Sequence, residues 1–167
     1  MEGWQHVSVD GVVSSLITIF FAKRKLMSEI YISHSERETE NLAFNLAKEN
    51  KIKFGDIIAL YGDLGAGKTA FTRGLVRFFS PDSRVTSPTF SLVNQYKNIF
   101  HFDMYRINSQ DDLLSIGFYD YLEDLSEKII IIEWFEKIAD FFDENTVKID
   151  IVKLDGDERK IYVDFGN

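Results

Sequence analysis

The period of apolar and polar positions changes several times along the chain, and each change marks an element. "EIYIS" alternates with period two, as a half-exposed strand does. "SHSERETENLAFNLAKEN" instead repeats Leu42, Ala43, Leu46 and Ala47 at helical spacing, and Ser35 with Glu38 has the form of a capping box. "GDIIALYG" is a compact apolar run of the kind a parallel strand buried on both faces shows. "KTAFTRGLVRFF" predicts the next helix, ended by "SPDS". "SPTFSLVNQY" and "NIFHFDMYR" alternate again and predict two neighbouring strands. "SQDDLLSIGFYDYLEDL" predicts a helix with Ser109 as its cap and Asp112 three residues on. "KIIIIEW" is the most apolar run and predicts a central strand; "TVKIDIVKL" and "RKIYVDF", joined by "DGDE", predict a terminal hairpin. The order β-α-β-α, two strands, α-β and a hairpin predicts an α/β fold with a mixed sheet flanked by helices.

A length of 167 residues fits one domain with its own core. The absence of cysteine excludes a disulfide framework and a thiolate metal site. With 19 Lys and Arg against 27 Asp and Glu, the surface repels a polyphosphate backbone, so contact with nucleic acid is expected to go through a partner. Residues 1–26 stand apart from the domain at 27–167. Their apolar run "GVVSSLITIFFA" is too short to span a bilayer, and its flanking charges reverse the order of a signal peptide. Met27 then opens "MSEIYIS", which reads as a natural start. The expectation is a dispensable extension or a mis-chosen start, with a membrane-surface anchor as the alternative.

Candidate chemistry begins at Gly62-x-x-x-x-Gly67-Lys68-Thr69, which has the P-loop pattern. Small residues let successive amides curl around an anion, and the following helix adds its positive end. Lys68 is placed to reach the β- and γ-phosphates and the Thr69 hydroxyl to ligate Mg²⁺. The pattern recurs by chance in about one chain of this length in a few hundred, and the preceding strand and following helix cut those odds further. Such a loop needs a facing carboxylate, for which Glu133 is the candidate, directly after Ile129–Ile132 at the carboxyl end of a strand; the alternative is that it is only the first polar residue past a core strand.

In "HFDMYR", His101, Asp103 and Tyr105 share one strand face, opposite Phe100, Phe102 and Met104. Asp103 could position the attacking water or a metal-bound water, with His101 orienting it; a solvated sheet face is the alternative. Ser87 or Thr89 in "VTSPTF" could face the γ-phosphate or magnesium, although the stretch taken alone reads first as a turn before a strand. Arg73 and Arg77 are expected to be solvated, and Arg106 could reach the site from its strand end. No arginine is placed as an obvious finger, so hydrolysis by the chain alone is expected to be slow. A small-molecule kinase is the competing function. It would require an arginine-rich lid, yet Arg106 and Arg159 are the only arginines beyond Arg84.

Together "GDLGAGKT", "TSPTFSLVNQY", "HFDMYR" and "IIEW" resemble the TsaE (YjeE) family, over roughly residues 28–165. The resemblance implies a single-domain P-loop NTPase fold, ATP and Mg²⁺ as cofactors, a cytoplasmic setting without membrane contact, and action beside TsaD and TsaB. There the ATPase supports formation of threonylcarbamoyladenosine at position 37 of tRNAs reading codons that begin with adenine, and tRNA is met through the complex. By resemblance the nucleotide loop falls on Leu64, Gly65, Ala66, Gly67, Lys68 and Thr69, the magnesium ligands on Thr69 and Glu133, and the important aspartate on Asp103. Trp134, Thr39, Glu136 and Arg159 correspond to positions around the nucleotide, with Thr39 near the base. Where the family commonly has "EWPE", this chain has "EWFE", so Phe135 leaves that turn less rigid.

Overall fold

The computed structural model describes residues 29–88, 91–139 and 146–166, and residues 1–26 therefore lie outside it. Seven strands form one sheet: β1 (Glu29–Ser33), β2 (Ile57–Tyr61), β3 (Val93–Tyr96), β4 (Ile99–Asp103), β5 (Ile129–Glu133), β6 (Thr146–Lys153) and β7 (Arg159–Asp164). Their spatial order is β1-β7-β6-β2-β5-β4-β3. Four adjacent strands, β6, β2, β5 and β4, are parallel, and the remaining pairings are antiparallel, so the sheet is mixed as predicted. β6 and β7 form the expected hairpin, and β7 then pairs with β1.

Strand alternation divides the core in two. Ile58, Leu60, Ile131 and Ile149 face helices α1 (Glu36–Lys48) and α2 (Lys68–Phe79), where Leu46, Phe71 and Leu75 meet them. Ala59, Ile130 and Ile132 point to the other face, against Phe102, Met104, Phe118 and Phe135. β5 feeds both layers, which is why it reads as an unbroken apolar run: all five of its residues are buried.

Two expectations need correction. The stretch at 109–125 is not one helix but α3 (Gln110–Ser115), α4 (Phe118–Leu122) and a 3₁₀ turn at Leu125–Glu127. The capping box of Ser109 and Asp112 starts α3 as predicted, but Gly117 at φ +64° turns the chain left-handed and ends it. Among the described residues of "SPTFSLVNQY" only Val93–Tyr96 is strand. The Pro88 carbonyl accepts from the amides of Ser91 and Leu92, closing a turn ahead of it. At α1, Ser35 Oγ accepts from the Glu38 amide at 3.2 Å, whereas the Glu38 carboxylate reaches past the cap to the His34 amide at 2.8 Å.

Helices α1 and α2 rest directly on one another at Gly74. A Cβ there would lie 2.1 Å from the Glu40 carbonyl oxygen and 2.7 Å from the Ala43 Cβ. Among the described residues no helix is long and apolar enough to cross a membrane.

In an unobstructed helix, Gly→Ala gains about 1 kcal/mol. Here Gly74→Ala is expected to do the opposite and destabilise by about 1–3 kcal/mol through overpacking. Urea unfolding measures it, and an unchanged or raised midpoint would show that the two helices are not in backbone contact.

Candidate nucleotide site

β2 runs into the Gly-rich loop and α2 starts at Lys68, with Gly67 at its N-cap and no side chain capping the free amides. The last strand fixes this loop: Arg159 Nε donates to the Ala66 carbonyl at 3.0 Å, and its Nη1 donates to the Asp157 carbonyl at 2.6 Å. Lys68 is buried. Its Nζ donates to the carbonyls of Gly62 at 2.6 Å and Asp63 at 3.0 Å and lies 4.1 Å from the centroid of the Trp134 ring. Burial pushes the Lys68 ammonium below its ordinary pKa, and the carboxylates of Glu133, Glu136, Asp103 and Asp63 oppose that shift.

Parallel register delivers the carboxylates to the same edge. Glu133 pairs with Leu60 on one side and with Asp103 on the other, so all three strands end beside the loop. Thr69 Oγ1 donates to Glu133 Oε1 at 2.9 Å, joining residues 64 positions apart. Asp103 is buried and its Oδ1 accepts from the Tyr105 amide at 3.0 Å. The Tyr105 and Trp134 rings stand 5.1 Å apart, with Trp134 in the left-handed region at φ +59°.

These groups enclose a cavity of about 570 Å³. Leu64, Gly65, Gly67, Lys68, Thr69, Asp103, Glu133, Trp134 and Arg159 all line it, as do Ser87 and Tyr105. Ala66 is buried and gives its carbonyl to Arg159. Thr39 does not line the cavity. It is fully buried beneath the loop, its hydroxyl engaged with Ser33 Oγ at 2.7 Å and the Ser35 carbonyl at 3.3 Å. Glu136 also lies off the wall; crowding by protein raises its pKa, against the opposing pull of its own backbone amide and Lys68. Phe135 is buried against Tyr61, with ring centroids 5.7 Å apart. Thr89 lies outside the described residues.

Three further readings change. His101 does not face solvent or the cavity: it is fully buried, and its Nε2 lies 2.9 Å from Glu133 Oε1. Arg106 is exposed and not part of the wall. Arg73, expected to be solvated, lines the cavity with Glu36 and forms ion pairs with Glu36 and with Glu40 at 2.6 Å. Helical spacing placed Arg73 beyond the loop, but nothing local could place α1 opposite it.

The donor set fits magnesium. A hydroxyl and a carboxylate oxygen are hard ligands, and no group of three or more acidic, His or Cys side chains able to hold a metal alone occurs among the described residues. Thr69 and Glu133 could together hold such an ion, with phosphate and water completing its shell. The wall carries Glu36, Asp103 and Glu133 against Lys68, Arg73 and Arg159, so an incoming polyphosphate needs a cation to offset its charge.

The sequence pattern of the family described as "TsaE: Threonylcarbamoyl adenosine biosynthesis protein TsaE" matches residues 33–161. A protein of Rickettsia typhi named tRNA threonylcarbamoyladenosine biosynthesis protein TsaE is 39% identical over 131 residues, covering 75% of this chain and 88% of that one. A Bacillus subtilis protein of the same name is 33% identical over 113 residues, covering 65% and 69%. The crystal structure of Bacillus YdiB superimposes with a TM-score of 0.67 at 27% identity, covering 84% of this chain and 87% of that one.

Arg159→Ala removes the donor to Ala66 and is expected to cost about 1.5–3 kcal/mol of stability. It should also weaken phosphate binding by loosening the loop. Urea unfolding and calorimetric titration with ADP test the two effects; a loop held independently of β7 would leave both unchanged.

Proposed function

The chain belongs to the TsaE family, and from that premise we propose that it is an ATP-hydrolysing subunit acting with TsaD and TsaB in threonylcarbamoyladenosine formation on tRNA. The observation that carries the reading is the 2.9 Å bond between Thr69 and Glu133 on the wall of a cavity entered by the P-loop.

A triphosphate entering the cavity meets the free amides at the start of α2 and the Lys68 ammonium. Lys68 exchanges two neutral carbonyl partners for charged phosphate oxygens, a stronger class of hydrogen bond. Thr69 and Glu133 would hold Mg²⁺, which neutralises charge developing on the transferred phosphoryl group. Asp103, buried and paired in register with Glu133, is the carboxylate available to orient the attacking water. Trp134 and Tyr105 wall the cavity and limit bulk water there. The chain alone turns over slowly in this reading, and the TsaD–TsaB pair stimulates it. Binding of tRNA falls to the complex, consistent with the acidic balance of this chain.

Phosphate release from ATP, with and without TsaD and TsaB, tests the proposal. Lys68→Ala and Thr69→Ala should abolish turnover, and Glu133→Ala should reduce it about 100-fold or more. Multiple-turnover yield of the modified nucleoside should fall in parallel. Undiminished hydrolysis by Glu133→Ala would remove that carboxylate from the mechanism.

A further inference from the structure

Glu133 Oε1 has two partners, the Thr69 hydroxyl and His101 Nε2, each at 2.9 Å. A carboxylate can only accept, so Nε2 must carry a proton. His101 is fully buried, and its Nδ1 has no partner among the described residues. The donor is therefore the His101 Nε2–H, placed one strand over from the carboxylate it binds. Glu133 needs such a restraint. Its side chain is longer than aspartate by one methylene and has a further rotatable bond.

We propose that His101 is a positioning residue for the metal site: its Nε2–H fixes the Glu133 carboxylate in the orientation that meets Thr69. The inference rests on the nucleotide site proposed above. A protonated Nε2 donates and cannot ligate, so His101 restrains Oε1 without competing for the ion. Partners of this kind orient metal-binding side chains, and losing one typically weakens metal affinity by about 10- to 100-fold. His101 itself touches neither substrate nor metal in this arrangement.

Calorimetric titration of the full chain with ADP at graded Mg²⁺ concentrations, and in EDTA, tests the role. His101→Gln returns an N–H donor to the place of Nε2, whereas the shorter His101→Asn does not reach it. The Mg²⁺ concentration for half-maximal enhancement of ADP binding should stay near the parent value in His101→Gln. It should rise about 10-fold or more in His101→Asn. Affinity for ADP in EDTA should stay at the parent value in both. Equal Mg²⁺ dependence in the two variants, or an equal loss in EDTA, would overturn the proposal while leaving the nucleotide site intact. A parent chain that binds no ADP under either condition would overturn both readings. Nitrogen NMR of ¹⁵N-histidine-labelled parent protein needs no destabilising variant. A hydrogen on Nε2 of His101 is expected, and a bare Nε2 would sink the proposal outright.

Discussion

The register of three parallel strands governs the rest of the molecule. β5 lies between β2 and β4, with Glu133 level with Leu60 and Asp103. Ile129 to Ile132 alternate into two separate apolar layers and cannot shift by one position without exchanging them. The amide of Met104 donates to the Glu133 carbonyl at 3.1 Å and that of Ile129 to the Asn98 carbonyl at 3.0 Å, fixing both ends of the β4–β5 pairing. The position of a polar group on the cavity wall is thus set by apolar packing that never touches a ligand.

The charge pattern of the cavity follows from the same geometry. Three cations of an acidic chain are gathered at one edge of the sheet, each already in contact with protein and balanced on the cavity wall by Glu36, Asp103 and Glu133. Lys68 sits on carbonyls and the face of Trp134, Arg73 on two carboxylates of α1, and Arg159 on a loop carbonyl. The placement of this charge is local and oriented, within a chain whose overall net charge is −8.

Local signals made most of this legible. The loop pattern, the capping residues and the apolar run before Glu133 each depend on neighbours within a few positions. What was hidden depends on distant contacts. Arg73 reads as a surface residue until α1 is known to lie against α2 at Gly74, which puts Glu36 and Glu40 within its reach. His101 reads as cavity-facing until the strand register sets it diagonally against Glu133. The broken helix is a different case: Gly117 was visible, but helical spacing says nothing about whether its backbone turns left-handed.

The contact at Gly74 carries one more consequence. With α1 on one side and the sheet on the other, the shaft bearing Thr69 is wedged like a post set in masonry and has little room to slide. At Gly65 the opposite holds, for an added methyl there would find no atom within 4 Å, and adjacent Leu64 is 89% exposed. Room to move is therefore found at that unbuttressed crest, with the post as its fixed point.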